Sequence, residues 1–281
     1  MTQTADGTTT NVVTSMHRGG YDLYGRRMIA DFLDKWPENT RLTVYAEDFE
    51  VAERSDRLEV IDLHAACPDL VAFKENNRER WKRGYVANTG KRLFRSSEKY
   101  RYKWDAVKFA NKVYAYCAHA QRTQARFLVW LDADTTTVRP VPADFIQSLG
   151  DVFLVYLGRR YVHSECGFLR FDMRHDAAPD FFANMRAMYD SGQVFTLKEW
   201  HDSFVFDTVR SVMTASGKIS ELSLSDPAEM RHPFVNSVLG EYMDHLKGET
   251  RKTAGSSSDR DRGRETVSRR IMRKLHLATD V

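Results

Sequence analysis

Apolar positions along this chain fall into two kinds of run: short unbroken stretches, and longer ones spaced by three and four. Asn11 to Met16 is short and β-rich, Gly19 and Gly20 read as a turn, and Tyr21 to Trp36 sets Met28, Ile29, Phe32, Leu33 and Trp36 on one helical face. Pro37 ends that helix, and Arg41 to Glu47 restarts as a strand. A strand, a helix and a second strand in that order predict a parallel sheet with helices on its faces. Further along, Tyr102 to Ala120 reads as one long helix feeding an apolar strand that begins at Phe127. Asp151 to Leu157 and Gly167 to Phe171 are further strands, and Ala177 to Tyr189 and Ser203 to Val212 further helices. From Thr253 to about Glu265 the chain is polar and aperiodic, as a linker would be, and Val267 to Leu275 reads as a short basic helix. The pattern is that of an α/β protein with a mostly parallel, Rossmann-like sheet over residues 11 to 252, a disordered start before residue 11 and a basic tail after residue 252.

Composition narrows this little. With 281 residues, 42% hydrophobic and 12% aromatic, the chain suits one large domain or two modest ones with a real core. No apolar run approaches the roughly 18 residues that span a bilayer, and the first ten residues lack the basic and apolar regions of a secretory signal. The expected location is cytoplasmic. Cys67, Cys117 and Cys166 are too few and too scattered for a disulfide framework, so reduced core cysteines are expected.

Charge changes the picture more. Although the net charge is only +3, residues 74 to 103 hold eleven Lys or Arg against three Glu, and residues 251 to 274 hold nine against three acidic residues. Within the first segment Trp81, Tyr85, Phe94, Tyr100 and Tyr102 interleave with the bases. That is the composition of a groove tracking a polyanionic strand, which makes Trp81, Lys82, Arg83, Lys91 and Arg92 candidate DNA contacts.

The candidate chemistry lies where the Phe127 strand ends. Five apolar residues stop at Asp132 and Asp134, one residue apart, and open α/β sheets bind ligands outside the carboxyl ends of their strands. Two hard oxygen ligands there suit a divalent cation, which could hold a diphosphate and support its departure.

Strand, helix and LDADT together resemble the GT-A fold of nucleotide-sugar glycosyltransferases, with Asp132-Ala133-Asp134 as their DxD motif. His163 to Asp172, HSECGFLRFD, is similar to the acceptor-side strand of the retaining, glycogenin-like branch. Glu199 to Asp207, EWHDSFVFD, stands where that branch carries an Asp-rich helix start. Asp244 to Arg251 contains H-x-x-G-x-x-R, similar to the branch's H-x-x-G-x-x-K.

The resemblance implies a UDP-sugar donor and Mn²⁺ or Mg²⁺. It makes His245 a third metal ligand beside Asp132 and Asp134, and an imidazole in the set favours Mn²⁺. It places Gly248 and Arg251, or Lys252 beside it, at the phosphates. Thr14, Ser15 and Tyr21 would hold the nucleoside, and Glu47 or Asp48 would accept from ribose or base. Asp105 and Lys108, at i and i+3 of the expected helix, share a face that could reach the donor or form an ion pair. Asp202 with His201, and then Glu165, are the candidates for sugar, acceptor or catalytic contacts. The basic segment adds hydroxymethylated-base DNA, the acceptor of phage glycosyltransferases, to a saccharide or lipid-linked acceptor.

Two other classes compete. LDADTT also fits the D-x-D-x-T loop of haloacid-dehalogenase phosphohydrolases, although that motif normally opens its domain and here more than 120 residues precede it. The basic segments alone would suit a non-catalytic nucleic-acid-binding protein.

Overall fold

A computed structural model describes residues 9–87, 98–226, 231–258 and 260–262. Its centre is a seven-stranded sheet built from β1 (Thr10–His17), β2 (Thr40–Glu47), β3 (Leu58–Asp62), β6 (Phe127–Leu131), β8 (Leu154–Leu157), β9 (Glu165–Asp172) and β10 (Glu221–Ser223). Two small sheets flank it: the hairpin of β4 (Arg83–Ala87) with β5 (Glu98–Asp105), and the pair of β7 (Thr135–Thr137) with β11 (Met243–His245). The order across the large sheet is β10-β8-β9-β6-β1-β2-β3. Every neighbouring pair is parallel except those made by β9, which runs against both β6 and β8.

The unbroken apolar runs follow from burial on both faces. Phe127, Val129 and Leu131 pack with Val12, Leu42 and Val44 on one side of the sheet, against the helix Arg26–Lys35. Leu128 and Trp130 point the other way, with Val13 and Tyr45, onto the helices Ala106–Ala120, Ala178–Asp190 and Asp202–Ala215. With water on neither face, alternation has no reason to appear.

The chain leaves β1 towards β2 on one side and returns as β6 on the other. The carboxyl ends of β1 and β6 therefore diverge and leave a crevice between them, which is where such sheets take ligands.

Three expectations need correction. Tyr102 to Ala120 is not one helix: the strand β5 runs to Asp105, and the helix starts at Ala106. The alternation of base and aromatic in Lys99-Tyr100-Arg101-Tyr102-Lys103-Trp104 is a period of two, and it pairs antiparallel with β4. The polar stretch from Thr253 is tied down as far as Arg262. Ser257 and Arg262 bond the buried carboxylate of Asp244, and Asp261 binds Arg251. Lastly, the first helix starts at Arg18, three residues before Tyr21, with a wider π turn over Tyr21–Gly25. Val267 to Leu275 lies outside the described residues. Among the described residues no helix is long and apolar enough to cross a membrane.

Candidate active site

Asp132 leaves the end of β6 with its backbone N–H donating to the Gly167 carbonyl of β9 (2.9 Å), and a tight turn then carries the chain through Ala133 and Asp134 into β7. Trp36 pins β7 by donating its indole N–H to the Thr137 hydroxyl (3.0 Å). Because β11 pairs antiparallel with β7, His245 lies opposite Thr135, one residue from Asp134. The Leu246 N–H completes the junction on the Asp134 carbonyl (2.9 Å). Two short strands thus bring together residues 111 apart in sequence.

The carboxylates divide their oxygens. Asp132 Oδ1 accepts from Lys112 Nζ (2.8 Å) and the Trp130 indole (2.7 Å), and Asp134 Oδ2 faces Lys252 Nζ (2.8 Å). The other two oxygens face one imidazole nitrogen: His245 Nε2 is 3.1 Å from Asp134 Oδ1 and 3.6 Å from Asp132 Oδ2. Asp132, Asp134 and His245 each offer a ligand atom within 4.8 Å of the others. Two hard oxygens and one imidazole converging this way fit a divalent ion of the Mn²⁺ kind. On the far side of the ring, Nδ1 lies 3.4 Å from Glu165 Oε1, an ion contact without a hydrogen bond. Gly167 makes room for the ring, since a Cβ there would stand 2.6 Å from His245.

Burial alone would raise the Asp134 carboxyl, but His245 and Lys252 outweigh it and hold it well below its ordinary value. Burial lowers His245, yet Asp134 and then Asp132 reverse the effect and raise it. Lys112 is likewise pushed down by burial and raised more strongly by Asp132 and Asp202. It bridges the two, lying 2.8 Å from an oxygen of each.

These residues stand at one end of a cleft of about 510 Å³. Ser15, Glu47, Lys108, Ala133, Asp132, Asp134 and Lys252 line it, joined by Tyr24, Lys112 and Trp130, which the sequence reading did not select. Tyr24 carries Lys252 Nζ 4.8 Å above its ring, and its hydroxyl is pushed up to about 12 by burial and then by Asp134 and Asp132. Glu47 is oriented by Lys74 (2.6 Å) and Asn111 (3.0 Å). The signal for Lys112 was present: a lysine amid the apolar positions of an amphipathic helix is rarely buried without a partner.

Other expected residues sit elsewhere. Tyr21 is not a platform for a base. Its ring is buried against Phe49, and its hydroxyl donates to Glu53 and accepts from the Ala52 N–H. Thr14 is fully buried in the sheet. Asp105 does not share a helical face with Lys108: it caps the helix Ala106–Ala120, accepting from the Lys108 backbone N–H (2.9 Å) and the Tyr100 hydroxyl (3.0 Å). Arg251 is turned to Asp261 and the Lys247 carbonyl, so Lys252 takes the place at Asp134. Gly248, at φ 81, starts the helix Glu249–Ala254 that presents Lys252. Asp48 pairs with His64 (2.8 Å). Glu165 lies behind His245 and in ion contact with Lys247. Asp202 meets Lys112, while His201 is bonded to Glu199 (2.9 Å).

In the basic segment, Trp81 is 47% exposed and packs edge-on against Phe195 and Trp200. Lys82 is held by Asn77 and Glu79, and Arg83 is partly buried. Lys91 and Arg92 lie outside the described residues. Thr136, the threonine of the D-x-D-x-T reading, gives its hydroxyl to Asp31.

No family model and no curated protein matches this chain. Among solved structures it is similar to mouse xyloside xylosyltransferase 1, over 77% of this chain and 85% of that one, at 11% identity and a TM-score of 0.46. It is also similar to the glycosyltransferase GlyE of Streptococcus pneumoniae TIGR4, over 77% and 45%, at 11% identity and 0.42. For the bifunctional glycosyltransferase WbbM the shares are 89% and 47%, at 12% identity and 0.46. The chain spans about half the length of the last two. At this level of likeness the functional reading rests on the geometry of the site itself.

Proposed function

We propose that the protein is a metal-dependent glycosyltransferase that moves a sugar from a UDP-sugar to an acceptor hydroxyl. The observation that carries this is the convergence of Asp132, Asp134 and His245 at the carboxyl end of β6, beside a cleft that three lysines, Lys108, Lys112 and Lys252, also line. Bound there, Mn²⁺ would supply Lewis-acid neutralisation of a departing diphosphate. Around it the chain provides the rest. Lys252 and Lys108 add positive charge for the phosphates. Tyr24 offers an aromatic edge, and Ser15 and Glu47 offer polar groups to a nucleoside.

The transfer breaks the bond from the anomeric carbon to the phosphate oxygen, which keeps the electron pair. A bond forms from that carbon to the acceptor oxygen, whose proton passes to the departing diphosphate. Asp132, Asp134 and Asp202 are each already engaged by a lysine or by His245.

On the acceptor side we favour a saccharide over nucleic acid. Lys74, Lys82 and Lys103 of the basic segment are engaged by Glu47, Glu79 and Glu199, which reduces the charge free for phosphates. Tyr102, 53% exposed and ring-packed on His201 beside Asp202, is a surface on which a sugar ring stacks.

Release of UDP from a panel of UDP-sugars with Mn²⁺ tests the reading. Wild type should release it, and Asp134→Asn should lose the activity by two orders of magnitude or more with an unchanged circular dichroism spectrum. Phosphate release from a phosphoester, with no UDP release, would replace it with the phosphohydrolase reading.

A further inference from the structure

A second set of ligand-type side chains lies on the other side of Asp202. His163 Nε2 and His201 Nε2 converge on one oxygen of Glu199, at 3.2 and 2.9 Å, and all three donor atoms fall within 4.8 Å of one another. The other Glu199 oxygen is held by Lys103 Nζ (2.8 Å). His201 and Glu199 are buried, while the His163 side chain is 29% exposed, so the set is accessible from one side. The donor reading above uses none of these three.

His201 Nδ1 faces the Asp202 carboxylate at 4.0 Å and its Nε2 faces Glu199. At 4.0 Å the Asp202 contact is too long for a hydrogen bond, so the close polar contact of the ring is the one from Nε2 to Glu199. A cation at Nε2 would take the place of that contact and leave Nδ1 on the side of Asp202.

We propose that His163, Glu199 and His201 form a binding site for a transition-metal ion of the zinc class, separate from the Asp132–Asp134–His245 set. Two imidazoles and one carboxylate suit zinc, and the donor separations approach the roughly 3.4 Å that bonds of about 2.0 to 2.1 Å impose in a tetrahedron. Three protein ligands with an exposed side leave a position open. Mg²⁺ is disfavoured because it prefers all-oxygen surroundings. The ion clamps the loop ahead of β9 to the loop ahead of the helix Asp202–Ala215, the two segments that carry Glu165 and Asp202 into place.

The test uses the full chain carrying Asp132→Asn and Asp134→Asn, so that the first set cannot hold the ion. Stripped with a chelator and dialysed against micromolar Zn²⁺, it should retain one zinc per chain, and Co²⁺ in its place should give the visible bands of a four- or five-coordinate ion. Adding His163→Ala or Glu199→Gln should remove both signals with the circular dichroism spectrum unchanged. Should Glu199→Gln fail to fold, His163→Ala decides, because that side chain is partly exposed. Failure to retain zinc, or zinc retained equally by His163→Ala, would overturn the proposal. A failed donor assay would leave it standing, since neither signal depends on transfer.

Discussion

A methyl group at Gly167 would stand 2.6 Å from both Cε1 and Nδ1 of His245, closer than carbon atoms pack, and the imidazole is confined by Glu165 and Asp134. Gly167→Ala should therefore displace His245. A stability loss of about 1 to 3 kcal/mol by urea titration is expected from the overpacking, with weaker Mn²⁺ binding by calorimetry. Unchanged Mn²⁺ affinity would take His245 out of the ligand set. Adjacent basic residues part company in the same way. Lys252→Met should lower turnover by about tenfold or more, because it takes a cation from the cleft and from Asp134. Arg251→Met should instead lower the midpoint, because it releases Asp261, which also accepts from the Ser258 N–H. Parallel UDP-release assays and melts on the two variants check both halves.

Among the elements, the helix Ala106–Ala120 does most to join fold and site. One end is stopped by Asp105, whose carboxylate satisfies the Lys108 N–H and the Tyr100 hydroxyl together. Losing that cap in Asp105→Ala should cost about 1 to 2 kcal/mol, measured by urea, and should loosen the β4–β5 hairpin. UDP release should survive, since the carboxylate does not face the cleft; its abolition would restore Asp105 to the donor site. Two turns along, the same helix sends Lys112 between Asp132 and Asp202. The strand β5 just before it escaped the hydrophobic pattern. Its apolar partners are tyrosines and a tryptophan separated by bases, half in solvent, and a two-residue period of that kind is quieter than a run of aliphatics.

For the molecule as a whole, acid sensitivity follows from two buried histidines, His119 and His232, both lowered to about 4, first by burial. Burial, and then the charge of Arg122, lowers His119 to about 4, so it is neutral in the fold at pH values where the unfolded chain takes up a proton. Its contribution is present above the unfolded value of about 6.5 and is lost as pH falls from there towards 4. Between pH 7 and pH 5 the share of His119 should be about 2 kcal/mol, read as a lower urea midpoint, and His119→Gln should weaken the dependence by that share while His232 keeps its own.

The hydrophobic pattern by itself determined the α/β class, the order of the early strands and helices, and the strand end at Asp132, because burial on two faces writes itself into consecutive residues. It also set Asp132 and Asp134 apart as side chains of interest, whereas His245 and Lys252 came only with the family resemblance. What it could not determine was which of them meet. His245 reaches Asp134 through two three-residue strands, too short to leave a period. The resemblance implied Tyr21 at the nucleoside, but within the first helical turns it is Tyr24 that lines the cleft, while Tyr21 meets Glu53. Lys112 and Asp202 become partners through packing of separate helices against one face of the sheet. Local preference acts over a few residues, whereas the site is assembled from separate segments that only the folded sheet and its flanking helices bring together.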